Sequence, residues 1–155
     1  PEIPWDYDAR WDSDVNQARK ESDLVPREYC YDGSENTCVF AITGPGTAFD
    51  ESRTVRVDSL DEDTILIAEV RDSGLHWMAP GDFEIGKIPR EINDETGKGI
   101  SSRFSNGFHV GFADGACWFL RSDVPIAELE KFFTIEGARK FRREVVLGPY
   151  RLGGK

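Results

Sequence analysis

The sequence predicts an α+β domain built around an antiparallel β-sheet. Two alternating apolar runs within residues 108–120 flank Asp114-Gly115, a dipeptide typical of a β-hairpin turn. Two further apolar runs, 38–43 and 64–70, have the length of strands. A clear helical pattern is confined to residues 122–133. At 155 residues, the chain is long enough to bury a core as one domain.

Composition excludes two classes of partner. The chain has 19 Lys+Arg against 29 Asp+Glu, a net charge of -10 and a pI near 4.7. An acidic protein is a poor ligand for nucleic acid or an anionic membrane surface, so we expect no nucleic-acid partner. Apolar runs all fall short of the roughly 18 residues typical of a membrane span, which predicts that the chain as given is soluble.

The first half of the chain contains one helical segment and three strand segments. Residues 14–27 have a weak helical pattern that ends near Pro26. Residues 38–43 predict a strand that ends at the Gly-Pro-Gly of 44–46, and 55–57 predict a short strand. Residues 64–70 predict a longer strand rich in isoleucine.

The second half begins with a loop at 76–102 that is rich in glycine, proline and acidic residues. In the hairpin that follows, alternation places Phe108, Val110 and Phe112 on one face. Ala116, Trp118 and Leu120 form the set opposite. We predict a two-residue turn at Asp114-Gly115 with positive φ at both positions.

Residues 122–133 predict a short C-terminal helix, with a polar cap, an early proline and apolar residues on one face, namely Ile126, Leu129 and Phe133. Residues 138–155 carry six basic residues and one acidic residue. The predicted organisation is therefore a globular domain over 1–137 and a basic tail over 138–155. The tail is expected to pack on its own acidic domain, and an acidic partner is the alternative.

The three cysteines differ in their surroundings. Cys30 and Cys38 lie in one loop, close enough in sequence to form a disulfide, and the sequence leaves both the bonded and the free state open. A bond would contribute about 2–3 kcal/mol and indicate an oxidising compartment. Cys117 lies in an apolar strand pattern and is predicted to be a reduced, buried core residue.

Residues able to carry chemistry are few. His76 and His109 are the two histidines, and neither has a zinc-ligand spacing. His109 alternates with the apolar hairpin face, so it is interpreted as a sheet-face histidine with a local partner. His76 follows Asp72 and Ser73, which supplies the residue types of a hydrolase, although neighbours in one loop rarely adopt triad geometry.

Two further sites are predicted in the long loop. Asn93, Asp94 and Glu95 offer hard oxygen ligands beside Thr-Gly and form the calcium candidate. No cofactor other than calcium is expected. Trp77 and Met78 could present apolar side chains to a glycan or a protein.

Several segments, in order and spacing, resemble the DUF1559 family of pilin-like proteins that is abundant in planctomycetes. The resemblance extends from about Trp5 to Gly137, and the segments that carry it are 11–16, Cys30, 41–49, 64–70, 72–78, 99–102, 112–115 and 134–135. The C-terminal signature of that family is a histidine, nine residues and then Asp-Gly. Phe104 occupies the histidine position here, His109 is not its equivalent, and Ser-Asn-Gly stands in place of Pro-Gly-Gly.

The resemblance implies the globular head of a type IV pilin-like or type II secretion pseudopilin-like subunit, with a twisted antiparallel sheet. In such proteins an apolar N-terminal helix, which this chain lacks, anchors the subunit and packs on the sheet. The face with Phe108, Val110 and Phe112 would then need that helix or another partner.

The leading expectation is an exported, non-enzymatic structural subunit, periplasmic or at the cell surface and membrane-anchored in its full-length form. Its partners would be other pilin-like subunits or secretion-system components. The alternatives are a cell-surface module that binds a glycan or a protein through Trp77, and a hydrolase that uses His76 and nearby acids.

Overall fold

The computed structural model describes residues 6–16, 30–31 and 33–153. In this part of the chain, a six-stranded mixed sheet is combined with three short α-helices, which confirms the predicted α+β class. The strands are β1 (Val39–Thr43), β2 (Ile65–Glu69), β3 (Phe83–Glu84), β4 (Gly107–Phe112), β5 (Cys117–Arg121) and β6 (Arg151–Leu152). The α-helices are α1 (Ile126–Glu130), α2 (Ile135–Lys140) and α3 (Arg143–Val146). Short 3-10 helices occupy Asp14–Asn16, Val57–Ser59 and Gly148–Tyr150.

The strand order is β3-β1-β2-β4-β5-β6. Every neighbouring pair is antiparallel except β1 and β3, which are parallel, so the prediction of a wholly antiparallel sheet is wrong at this edge. The reason is the long loop, which returns beside β1 and pairs Phe83 with Ile42. The ring of Phe83 packs edge-on against Phe40 with centroids 5.0 Å apart, and both are buried.

The β4–β5 hairpin has a three-residue turn, so the predicted two-residue turn is wrong. Phe112 donates its backbone N–H to the carbonyl of Ala116 at 2.9 Å, and Gly115 has φ +84°. A two-residue turn at Asp114-Gly115 would place Phe112 opposite Cys117 and separate the apolar residues of the two strands. The observed register pairs Phe108 with Leu120, and apolar residues of both strands share one face.

The other predicted elements have mixed outcomes. The strands predicted over 38–43 and 64–70 are confirmed as β1 and β2. The strand predicted over 55–57 is wrong, because Leu60 donates to the carbonyl of Val57 in a 3-10 turn and Val57 is exposed. The predicted helix over 122–133 is present as the shorter α1, which begins after Pro125. The helix predicted over 14–27 begins as a 3-10 turn at 14–16, and residues 17–27 lie outside the described residues.

The face of the sheet that contains Phe108, Val110 and Phe112 is fully buried, and we call it the closed face. The same core cluster includes apolar side chains from the C-terminal segments, namely Leu129, Phe132, Ala138 and Leu147. The expectation that this face needs a further helix is therefore wrong, because the chain's own C-terminal part covers it. The boundary predicted at 137/138 falls within α2, and β6 pairs with β5.

The opposite face of the sheet is only partly covered, and we call it the open face. One row of side chains across it runs from Val39 and Glu69 to His109 and Phe119, and Leu152 extends this row on β6. Ile67 is 40% exposed on this face, in contrast to the closed face. Over the described ranges, none of the helices combines the length and apolar character that crossing a membrane requires.

Candidate functional site

Strand β4 presents Gly107, His109 and Gly111 to the open face, so His109 stands between two glycines. A Cβ on Gly107 would lie 2.8 Å from the ring of Phe119 and 2.4 Å from a backbone carbonyl of β5. A Cβ on Gly111 would lie 2.7 Å from Ile67. The two glycines therefore let Phe119 and Ile67 lie close against β4, on either side of His109.

The carboxylate of Glu69 is the buried partner of this histidine. Its side chain is 8% exposed, on the open face of β2. The hydroxyl of Tyr31 donates to Oε1 at 2.6 Å, and the backbone N–H of His109 donates to Oε2 at 2.9 Å. The Nδ1 of His109 lies 2.9 Å from the same Oε2. Three donors thus compensate the burial of this charge.

These contacts determine the tautomer of neutral His109. A carboxylate oxygen can only accept hydrogen bonds, so Nδ1 carries the proton that is shared with Glu69. Among the described residues no group donates to Nε2, so its lone pair is available, and the imidazole side chain is 43% exposed. An oriented imidazole with a buried carboxylate behind it is an arrangement found in metal sites and in general bases.

Aromatic rings surround the imidazole. The centroid of Phe119 lies 4.6 Å from that of His109, and Phe104 lies 6.2 Å away in an edge-on arrangement. Phe104 and Phe119 are themselves edge-on at 5.8 Å. We call Tyr31, Glu69, Phe104, His109 and Phe119 the His109 site.

Two cavities adjoin the site and share His109 as a wall. The larger, about 580 Å³, is bordered by Phe104, Asn106, His109, Phe119, Leu152 and Gly153. The smaller, about 300 Å³, lies on the other side, where Ile67 and Cys117 contribute to its lining together with Cys38, Glu69 and the backbone of β4. The site therefore has space for a bound group on either side of the imidazole.

Burial and the carboxylate of Glu69 influence the titrating groups nearby. Burial, followed by the hydrogen bond to Glu69, raises the pKa of Tyr31 well above its ordinary value. Burial raises the pKa of Cys38 to about 11 and also raises the pKa of Cys117, with a further contribution from Glu69 in both cases. Both thiols are therefore protonated at neutral pH, and neither residue acts as a thiolate nucleophile.

All three cysteines fall within the described residues, and all are free thiols. Cys30 and Cys38 are both buried, and Cys30 contributes to the raised pKa of Cys38. Cys117 is exposed, so its predicted burial is wrong. The reason is the strand register, which pairs Cys117 with Gly111 and turns its side chain to the open face.

The residue types that suggested a hydrolase are engaged separately. Ser73 donates its hydroxyl to the carbonyl of Thr37 at 2.7 Å, and Asp72 accepts from the guanidinium of Arg71 at 3.2 Å. Nδ1 of His76 accepts from the backbone N–H of Met78 at 3.3 Å. Within the described chain, no hydrogen bond links Ser73, Asp72 and His76 into a catalytic chain.

Trp77 and Met78, the predicted binding pair, are half-buried. The backbone of Trp77 is held by the carbonyl of Glu35 at 2.8 Å, and the ring of His76 stacks on Trp11 with centroids 5.3 Å apart. Nε1 of Trp77 and Nε2 of His76 are both buried without a hydrogen-bond partner in the described part of the protein. Such nitrogens are uncommon in folded proteins.

Two of the three predicted calcium residues, Asn93 and Asp94, use their side chains in contacts within the protein. Asn93, at φ 55°, accepts from the backbone N–H of Ser102 at 2.6 Å and donates to the carbonyl of Phe104 at 3.2 Å. Asn93 therefore holds the segment that carries Phe104 to the open face. This support of the His109 site is a role that the sequence did not indicate.

The carboxylate of Asp94 accepts from Thr96 and from the backbone N–H of Gly97, at 2.8 Å in the second case. Arg71 donates to the carbonyl oxygens of Asp94 and Glu95, at 3.0 and 2.9 Å. Across the residues that the structure describes, no group of three or more His, Cys, Asp or Glu side chains is arranged to hold a metal ion. Calcium binding stays a prediction.

Sequence reasoning named His109 but gave it no functional role, and it did not consider Glu69. A usable signal was present in the alternation Gly107-x-His109-x-Gly111, which leaves one polar side chain between two empty positions on a strand face. The pairing with Glu69 spans 40 residues and is a result of the tertiary fold.

No family model matches the chain, and neither a curated protein nor a solved structure is significantly similar to it. The resemblance to pilin-like proteins therefore rests on the sequence segments alone.

Proposed function

We propose that this chain is the globular domain of a pilin-like or pseudopilin-like structural subunit, exported to the periplasm or cell surface. In this role it would be non-enzymatic and would assemble with other pilin-like subunits or secretion-system components. The observation that carries the proposal is the unequal coverage of the sheet. The closed face is sealed by the chain's own C-terminal segments, whereas the open face displays apolar side chains.

The exposed part of the open face has the character of a contact surface. Ile67 and Phe104 are 40% and 42% exposed, and Phe119 lies half-buried between the ring of Phe104 and β4. Large apolar side chains grouped on one face of a sheet are typical of a surface that becomes buried in an assembly. Burial would contribute roughly 25 cal/mol per Å² of apolar area removed from water.

Charge supports an apolar mode of assembly. The net charge of -10 makes like subunits repel one another modestly, most strongly at low salt. Apolar contacts would offset this repulsion, and the open face supplies them. The separate engagement of Ser73, Asp72 and His76 is consistent with a structural role, because each of these groups already has a partner within the protein.

The test compares Ile67→Asp with Val145→Asp in the native full-length protein, in the cells that produce it. Val145 is a matched control, because it is an apolar residue on α3 that is 75% exposed. Chemical cross-linking should show that Ile67→Asp reduces assemblies about tenfold, the equivalent of ~1.4 kcal/mol, while Val145→Asp does not. Equal cross-linking of wild type and a folded Ile67→Asp variant would contradict an assembly role for the open face.

A second candidate function is a surface module that binds a glycan or a protein beside Trp77. The observation that favours it is the pair of buried, unpartnered ring nitrogens, Nε1 of Trp77 and Nε2 of His76. Because Nδ1 of His76 accepts from Met78, Nε2 of neutral His76 carries the proton, and a small shift of this loop would offer two N–H donors to a ligand. Saturable binding on a glycan array or in a pull-down that is lost in Trp77→Phe, which removes only the indole donor and some area, would support it.

A further inference from the structure

We propose that the larger cavity of the His109 site binds a neutral aromatic ring that carries one hydrogen-bond donor, as a phenol does. The inference goes beyond the assembly role, because the cavity is formed within one copy of the chain. Its walls are the rings of Phe104, His109 and Phe119, with Leu152 and Asn106 completing it.

The size and lining of the cavity select for a small apolar ring. Its volume of about 580 Å³ lies within the range of small-molecule sites, roughly 300–1,000 Å³. Two phenylalanine rings and a leucine contribute apolar surface, and the polar side chains on its border are His109 and Asn106. Offset and edge-on contacts with Phe104 and Phe119 would favour an aromatic ligand over an aliphatic one.

The chemistry of His109 selects for a donor on that ring. Because Glu69 accepts from Nδ1, neutral His109 offers a lone pair at Nε2 and no second N–H. A phenolic hydroxyl can donate to this lone pair, whereas a benzene ring cannot. A carboxylate ligand would have no donor to meet at Nε2 and would be repelled by Glu69. The expected ligand is therefore a neutral phenol and not an aromatic acid.

The site is held in place before any ligand arrives. Glu69 is fixed by Tyr31 and by the backbone of His109, and the segment with Phe104 is fixed by Asn93. Gly107 leaves the space in which Phe119 lies beside the imidazole. Preorganisation of this kind lowers the entropy lost on binding.

The experiment titrates the full chain with p-cresol and with p-xylene, which has the same shape but no hydroxyl, and follows chemical shifts by NMR. We expect saturable shifts at Phe104, His109 and Phe119, and about fivefold tighter binding of p-cresol, the worth of one hydrogen bond. His109→Phe keeps an aromatic ring and removes the acceptor, so the preference should disappear while p-xylene still binds.

Two phenylalanines provide a matched control pair. Phe104→Ala should weaken both ligands, whereas Phe141→Ala should weaken neither, since Phe141 is similarly exposed at 38% but lies at the end of α2 and does not border the cavity. A parallel titration with N-acetyltyrosinamide separates the two sources of a phenol. If N-acetyltyrosinamide binds more tightly than p-cresol, the ligand is a tyrosine side chain. If it binds more weakly, the ligand is a free phenol.

Three results would overturn the proposal. The first is the absence of saturable shifts for wild type with p-cresol, a measurement that needs no variant to fold. The second is an unchanged preference for p-cresol in a folded His109→Phe protein. The third is a ¹⁵N spectrum of neutral His109 in which Nε2, and not Nδ1, carries the proton.

Discussion

The two faces of the sheet differ in how they are stabilised, although the same strands form both. On β4, Phe108 and Val110 point to the closed face, while Gly107 and His109 belong to the open face. The closed face is a packed core cluster that includes the C-terminal helices. The open face has two glycines where side chains would fill space, and a buried carboxylate held by hydrogen bonds. Because side chains alternate between the two faces of a strand, the six residues of β4 contribute both to the packed core and to the His109 site.

The comparison also applies to charge. Glu69 is buried on the open face because three donors compensate it, not because it is packed among apolar groups. Near the closed face, buried Asp63 pairs with the largely covered guanidinium of Arg143, which lies beside aromatic rings. At Glu69, the Nε2 lone pair of His109 points away from the carboxylate. At Asp63 and Arg143, both charged groups are used in contacts within the chain.

The largest expected effect is the loss of a closed-face ring. Phe108 is 0% exposed, so Phe108→Ala should lower the free energy of unfolding by about 3–5 kcal/mol through lost burial and the cavity that remains. Phe104→Ala on the open face should lower it by less than about 1 kcal/mol. Urea denaturation of both variants measures the difference. Equal losses would show that both faces contribute to one core.

The next effect concerns the ion network at the edge of the closed face. Arg143 is 12% exposed, lies 3.1 Å from Asp63, pairs with Asp114, and has its guanidinium 4.6 Å from the centroid of Phe112. Arg143→Met keeps much of the apolar packing but removes the guanidinium that Asp63 and Asp114 share. We expect a loss of about 2–3 kcal/mol at neutral pH, from urea denaturation.

The pH dependence of this loss identifies its cause. The hydrogen bond from Arg143 lowers the pKa of Asp114 to about 2, so the carboxylate stabilises the folded state above its unfolded pKa of about 4. This contribution is lost as the pH falls from about 4 towards 2. Wild type and Arg143→Met should therefore differ fully above pH 4 and converge at lower pH. A difference independent of pH would assign the loss to packing.

Local sequence patterns were sufficient for the centre of the sheet. Alternation predicted β1, β2 and the β4–β5 hairpin, and it assigned Phe108, Val110 and Phe112 to one buried face. These signals are local, because the period of two and the Asp-Gly turn act over a few residues. The strands β3 and β6, with two residues each, are too short to show a period, and their pairing depends on tertiary contacts.

The His109 site could be predicted only in part, for the same reason. Gly107-x-His109-x-Gly111 was visible in the sequence, but Tyr31 and Glu69 come from segments 38 residues apart, and Glu69 meets His109 across 40 residues. The turn length was also decisive. One additional turn residue moved Cys117 from a predicted core position to the open face.

Two glycines provide a smaller test of backbone geometry, one in the turn between β4 and β5 and one in a 3-10 helix. Gly115 has φ +84°, and an added Cβ would contact nothing within 4 Å, so Gly115→Ala should cost about 1–2 kcal/mol from backbone strain alone. Gly148 lies in a 3-10 turn without a positive φ. Gly148→Ala should instead stabilise the protein by about 0.4–1 kcal/mol. Thermal unfolding distinguishes the signs, and a stabilising Gly115→Ala would contradict the turn.

The smallest expected effect is at the cysteines, where the open face is again the tolerant one. Cys117→Ser should change the free energy of unfolding by less than about 0.5 kcal/mol, because Cys117 is exposed. Cys38→Ser should cost about 1–2 kcal/mol, because it places a hydroxyl in a buried position.

Thiol labelling of the native protein checks the same difference without a mutation: Cys117 should react first, and Cys30 and Cys38 only as the protein opens. The raised pKa of Cys117 slows its reaction, so labelling at two pH values should show a rate that increases with the thiolate fraction. If all three thiols react at one rate in the native protein, Cys30 and Cys38 are not protected by burial. If only one thiol reacts after unfolding without reductant, Cys30 and Cys38 form a disulfide.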